Sequence, residues 1–296
     1  MPFSSFLRGK VAMITGGGGT IGQAIASKLV GHGASVILVG RSLQRLEEGR
    51  ANILRDSLES NVRVFSCDVT KEESVADLFH QVGRSLQRVE TAKDEFVLDS
   101  IHSNISVFSC DVTKEENVVD LFGQVDAITS GKGVDLLINN AGIAINGETE
   151  TLSGSDFSSV MNVNVVGPFL CAREALKRMK VRQKGRIINI GSISAISPRP
   201  DSAPYTTSKF AIMGLTQSLA LDARQYCNVA VGMIHPGNVV SAIMGQEEAE
   251  RRGKMEGFLQ PEDVGDCVLN MASLPYSANV LEMTVIPTRQ PLVGRG

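Results

Sequence analysis

Short apolar runs alternate with longer segments of mixed polarity along this chain. The runs are "VAMI" at 11–14, "VILV" at 36–39, "VRVF" at 62–65, "LLI" at 136–138, "RIINI" at 186–190, "VAVGMI" at 229–234 and "MTVI" at 283–286. They are nearly continuous in apolar residues, as expected of strands buried on both faces. Between them, residues 21–32, 43–58, 72–82, 156–180, 206–226 and 262–274 read as amphipathic helices. Strand–helix alternation predicts an α/β fold, a doubly wound parallel sheet with right-handed crossovers. No Pro/Ser-rich linker or low-complexity tract interrupts it, so residues 1–296 read as a single domain.

One stretch breaks the regularity. "FSCDVTKEE" occurs at 65–73 and again at 108–116. The match extends from 40–82 onto 83–125 at a constant offset of 43, with 27 identical positions and no gap. A solenoid needs about three or more units, and nothing else in the chain repeats. The pattern is a local duplication that adds one helix–strand–helix unit, with "ISVF" at 105–108 as an extra strand.

Composition adds little to this picture. The chain of 296 residues is 43% hydrophobic with a net charge of −3, which argues against nucleic-acid or basic membrane binding. Five cysteines, Cys67, Cys110, Cys171, Cys227 and Cys267, form no C-x-x-C pair. Reduced thiols are therefore expected, with no metal site and no disulfide framework. The opening "MPFSSFLRGKVAMITG" has no apolar run long enough for a signal or a span, so a cytoplasmic protein without a membrane partner is expected.

Candidate chemistry begins after the first run, at "TGGGGTIGQAIASKL". Glycines 17, 19 and 22 fit G-x-G-x-x-G between a strand and a helix, the Rossmann context in which backbone N–H groups and a helix N-terminus hold a pyrophosphate. Gly16, Gly18, Ile21 and Gly22 are the candidate contacts. At the end of the second run, Gly40 stands where an acid for the ribose hydroxyl is usual, and Arg41 comes next. A guanidinium there suits a 2′-phosphate, so NADP(H) is expected ahead of NAD(H).

Farther on, Tyr205 and Lys209 are four residues apart and share one helix face. A free phenol is a poor acid–base group at neutral pH, and an adjacent ammonium favours its ionised form. Ser192 lies just beyond the run at 186–190, at the carboxyl end of a strand, where α/β proteins bind ligands.

These pieces, with "NNAG" at 139–142, Asn164 in "NVVG" and "PGNVVS" at 236–241, resemble the short-chain dehydrogenase/reductase family in order and spacing across almost the whole chain. The resemblance implies an oxidoreductase acting on a small carbonyl or alcohol. By position, Tyr205 would exchange a proton with the reacting oxygen, Ser192 would hydrogen-bond that oxygen, Lys209 would hold the nicotinamide ribose, and Asn164 would support a proton path to Lys209. Asn140 and Gly142 would line the adenosine side; Val239 and Ser241 would meet the nicotinamide carboxamide. Homodimers or homotetramers are implied through the helices at 156–180 and 206–226. One departure is Thr20, where the family pattern places glycine, which narrows the space below the pyrophosphate.

The family also places an aspartate beside the adenine after the third strand. Asp68 and Asp111 both qualify, each 28 residues beyond its own copy of the glycine at 40 or 83. Short-range pairing favours 62–65 beside the second strand, hence Asp68, with "ISVF" outside it at the sheet edge. Residues 238–260 read as a substrate lid, and 143–147 with 194–200 as the rest of the pocket, where apolar groups and Arg199 do not choose a substrate. The rival reading is a nucleotide-sensing binding protein without turnover.

Overall fold

A computed structural model describes residues 7–56, 105–226, 228–240 and 256–292. Seven strands form one parallel sheet in the order β3-β2-β1-β4-β5-β6-β7. They are β1 (Val11–Thr15), β2 (Ser35–Gly40), β3 (Ile105–Ser109), β4 (Leu136–Asn139), β5 (Lys184–Ile190), β6 (Asn228–Pro236) and β7 (Glu282–Val285). The helices are α1 (Thr20–Gly31), α2 (Leu43–Asp56), α3 (Glu115–Ile128), α4 (Gly154–Met161), α5 (Gly167–Arg182), α6 (Ala203–Ala223) and α7 (Pro261–Ser273). The strand order reverses between β1 and β4, the switch point at which doubly wound sheets open a crevice.

The pleat sorts the apolar runs onto two cores. Val36 and Leu38 of β2 face Ile25, Leu29, Leu46 and Val268 of α1, α2 and α7. Ile37 and Val39 face the other layer, with Phe122, Leu170, Cys171, Met179 and Leu219 of α3, α5 and α6. Two-sided burial explains why these runs are continuously apolar.

The seating of the duplication differs from expectation. The strand beside β2 is 105–109, in register Val36 with Ile105 through Gly40 with Ser109. The opposite edge of β2 is taken by β1, so no edge of β2 remains for 62–65. That run, the expected helix at 72–82 and Asp68 lie outside the described residues. The two copies have near-identical strands, and the downstream chain decides between them. Only the second copy leads straight on, through α3 and its buried Val118, Leu121, Phe122 and Val125, into β4. The crossover from β3 to β4 is then an ordinary one, and the extra residues fall between α2 and β3.

A second difference is local. The helix expected over 156–180 begins earlier, at a capping box between Ser153 and Asp156, and is interrupted by a π-helical turn, Asn162–Val166. Such single turns often sit at functional sites. Among the described residues, no helix is long and apolar enough to cross a membrane.

Candidate active site

A cleft of 1510 Å³ opens along the carboxyl ends of the strands. Its lining runs from Gly40, Arg41 and Arg45, past Gly16, Gly18 and Ile21, to Ser192, Tyr205 and Lys209. The glycine loop is pinned from below. Gly17 N–H donates to the Val39 carbonyl at 3.1 Å, and Asn140 Nδ2 donates to the carbonyls of Thr15 and Gly16 at 3.1 and 3.2 Å. Thr15 Oγ1 accepts from the backbone N–H groups of Asn140 and Ala141, both at 3.1 Å. A helix can then start at Thr20 with no side-chain cap and no acid in its first turn. Its first N–H groups and positive end are left to the cleft, where a phosphate group fits.

Gly22 is glycine for a packing reason. It is absent from the cleft wall, and a Cβ there would lie 2.4 Å from the Gly16 carbonyl oxygen. Its role is to let α1 press onto the loop. Thr20 is exposed at the cleft wall.

Beyond the ends of β3 and β4, Asp111, Asn140 and Gly142 line the cleft. Asp111 Oδ1 accepts from the N–H and hydroxyl of Thr113 at 3.0 and 2.8 Å, which fixes the carboxylate in a turn after β3. Neighbouring Cys110 is sealed in, and burial pushes its thiol up to about 12, with Asp111 and Asp120 adding to the effect.

At the other end, the Pro-bearing first turn of α6 brings Tyr205 and Lys209 to the cleft. Lys209 Nζ lies 5.4 Å from the centroid of the Tyr205 ring and donates to the Ile190 carbonyl at 3.0 Å. Ser192, beyond β5, accepts from Ser194 N–H at 3.1 Å. That bond uses an acceptor lone pair and leaves the hydroxyl hydrogen for a ligand. Behind it, the fully buried His235 bonds the Ser192 carbonyl through Nδ1 at 3.0 Å.

Asn164 departs from expectation. It does not line the cleft. Its Oδ1 accepts from Ile143 N–H, while Nδ2 donates to the Ile143 carbonyl and to Ser208 Oγ, all at 2.9 Å. Ser208 in turn donates to the Tyr205 carbonyl at 2.7 Å. Both amide hydrogens are thus spent on joining the π turn, the loop after β4 and α6.

Val239 lines the cleft and pairs with Leu259, so the two ends of the expected lid are zipped together; Ser241 lies outside the described residues. Sequence reading missed the clamp at this closure. Glu256, on the cleft wall, accepts from Asn238 Nδ2 at 2.7 Å and Gln290 Nε2 at 3.0 Å. Gln290 Oε1 accepts from Asn238 N–H at 2.9 Å. The partners in this clamp are 18, 34 and 52 residues apart, so no local pattern marks it. Among the described residues, no group of His, Cys, Asp and Glu is placed to hold a metal ion.

The profile of the family described as short chain dehydrogenase matches residues 10–92 and again 82–252. It matches twice, as expected of a chain carrying one unit of the family pattern in duplicate. An uncharacterised oxidoreductase of Staphylococcus aureus (strain MRSA252) is 29% identical over 281 residues, covering 95% of this chain and 98% of the relative. In fold, the chain is similar to an alcohol dehydrogenase of the archaeon Thermococcus sibiricus solved with 5-hydroxy-NADP. The TM-score is 0.71 at 22% identity, over 95% of this chain and 98% of that one. A metagenomic short-chain oxidoreductase in complex with NADP gives a TM-score of 0.69 at 25% identity, over 96% and 99%. With a crevice along the carboxyl ends of its strands, Ser192, Tyr205 and Lys209 on its wall and a family match spanning most of its length, the chain belongs to the short-chain dehydrogenase family of oxidoreductases.

Proposed function

We propose that the protein interconverts a small carbonyl compound and its alcohol with NADP(H), using Tyr205 as general acid and base. The observation that carries this reading is the convergence of Ser192, Tyr205 and Lys209 on one stretch of the cleft wall, with an ammonium 5.4 Å from the phenol ring.

A nicotinamide nucleotide held by the glycine loop and Lys209 would supply or accept the hydride. Ser192 directs its hydroxyl hydrogen at the substrate oxygen and holds it beside Tyr205. In the reductive direction, Tyr205 gives its phenolic proton to that oxygen as negative charge builds there. Lys209 places a positive charge beside the phenolate left behind. One of its N–H groups is anchored on Ile190, and the others remain for the nicotinamide ribose. Asn164 works at one remove, holding α6 against the loop after β4.

For the nucleotide, Arg41 and Arg45 line the cleft beyond β2, and Gly40 offers no acid to repel a 2′-phosphate. The Thermococcus sibiricus and metagenomic neighbours were solved with an NADP derivative and with NADP, which supports the same preference. Exposed Phe157, Val166, Phe169 and Phe210 on α4, the π turn, α5 and α6 support a homo-oligomer. A cytoplasmic site of action is consistent with the buried free thiols Cys110 and Cys171.

The test is oxidation of NADPH and NADH by wild type and Tyr205→Phe across a panel of ketones and aldehydes. Faster oxidation of NADPH, lost by about a thousandfold in Tyr205→Phe, is the expected result. Nucleotide binding without oxidation of any substrate would instead indicate a sensor.

A further inference from the structure

Arg199 is the cation of the cleft that proton and hydride transfer leave unused. Among the described residues, four basic side chains line the cleft: Arg41, Arg45, Lys209 and Arg199. The first two stand beyond β2, at the adenosine end, and Lys209 is committed to the Ile190 carbonyl. Arg199 lies six residues before Tyr205, in the turn that leads into α6. That turn is rigid. Ser202 Oγ donates to the Arg199 carbonyl at 3.0 Å, Gly147 N–H donates to the Asp201 carbonyl at 2.8 Å, and Asp201 takes a left-handed φ of 53°.

The side chain itself is poised and unpaired. Its Nε is shut off from solvent and has no hydrogen-bond partner. No acidic side chain among the described residues pairs with its guanidinium, although Asp201 and Glu256 share the cleft wall. Glu256 is occupied by the amides of Asn238 and Gln290. Arg199 lines the cleft, and a guanidinium carries planar N–H donors that match a carboxylate.

We infer that Arg199 anchors the carboxylate of the substrate, so that the reacting carbonyl belongs to an oxo acid and the alcohol to the corresponding hydroxy acid. The anchor rests on the hydride-transfer reading and narrows it to a substrate class. A single guanidinium that shares its wall with two acids suits one negative charge better than two, which selects a carboxylate over a phosphate ester.

The experiment compares matched probes: acetoacetate with methyl acetoacetate, 4-oxopentanoate with methyl 4-oxopentanoate, and dihydroxyacetone phosphate with dihydroxyacetone. NADPH oxidation is followed for wild type, Arg199→Met and Arg199→Lys. Wild type should prefer acid to ester by about tenfold or more in kcat/KM. The ratio should fall toward unity in Arg199→Met and recover in part in Arg199→Lys. A ratio indifferent to Arg199→Met, equal use of acid and ester by wild type, or a preference for the phosphorylated ketone overturns the anchor. If NADPH binds but no probe is reduced, the hydride-transfer reading falls. The anchor is then decided alone, by titrating the NADPH complex with 4-oxopentanoate and its methyl ester. Binding of the acid about tenfold tighter, lost in Arg199→Met, upholds it; equal or unmeasurable binding overturns it.

Discussion

Replacing Asp111 by alanine should weaken NADPH binding, and replacing Asp68 by alanine should not. The two residues are the same letter in the same nonapeptide, so the pair isolates place from chemistry. Asp111 stands on the cleft wall beyond β3, with Oδ1 held by two bonds from Thr113. A hydrogen bond from a ligand amino group to a carboxylate is worth about 1.5–3 kcal/mol. At about 1.4 kcal/mol per decade, Asp111→Ala should raise Kd by roughly 10- to 100-fold. Asp111→Asn keeps an acceptor for the Thr113 turn and loses only the charge, so it should fall between wild type and alanine. Direct NADPH fluorescence is a clean assay, because the chain has no tryptophan. Melting curves separate this from damage to the fold, since the lost Thr113 bonds are worth about 1–2 kcal/mol. Tighter dependence on Asp68 than on Asp111 would refute the seating of 105–109 beside β2.

Three further outcomes come from the packing. Gly22→Ala should abolish nucleotide binding and lower stability, because its Cβ would meet the Gly16 carbonyl at 2.4 Å and Gly17 Cα at 2.9 Å; fluorescence titration and melting read both effects. Arg186 is 2% exposed, and its Nη2 donates to the carbonyls of Leu274, Pro275 and Ala278. Arg186→Met leaves all three without that donor but also removes the buried, unpartnered Nε and Nη1, so it should cost about 1–3 kcal/mol, a fall of roughly 2–12 °C in Tm. Finally, burial raises the thiols of Cys110 and Cys171 well above their ordinary value, Cys110 to about 12. The unfolded chain releases these protons first, so their contribution is whole below about pH 9 and is lost above it, at about 1.4 kcal/mol per thiol per pH unit. Urea unfolding from pH 8 to 10.5 should show a steeper decline in wild type than in a Cys110→Ala, Cys171→Ala variant; equal slopes would rule the effect out.

The sheet was legible because strands buried on both faces are written as apolar runs; every apolar run among the described residues became a strand, the partly exposed edge strand β7 included. Tyr205 and Lys209 were legible for a related reason: helical spacing puts them on one face. The choice between 62–65 and 105–108 was not legible, because it depends on α3 and β4, which lie directly downstream of only one of two near-identical copies. Nor was the work of Asn164 or Gln290. Their partners lie 21 and 44 residues away for Asn164, and 34 and 52 for Gln290. A π turn and a zipped loop bring them together, and neither has a periodicity to read.

The duplicated unit gives β3 an unusual standing. No other strand of the sheet is spelled twice, but the stretch that lies beside β2 has a second copy in the same polypeptide. "VRVFSCDV" at 62–69 carries the valine, phenylalanine and aspartate of "ISVFSCDV" at 105–112 in the same positions. The two stretches are thus nearly the same in chemistry, and the direct connection onward through α3 to β4 is what sets 105–112 apart.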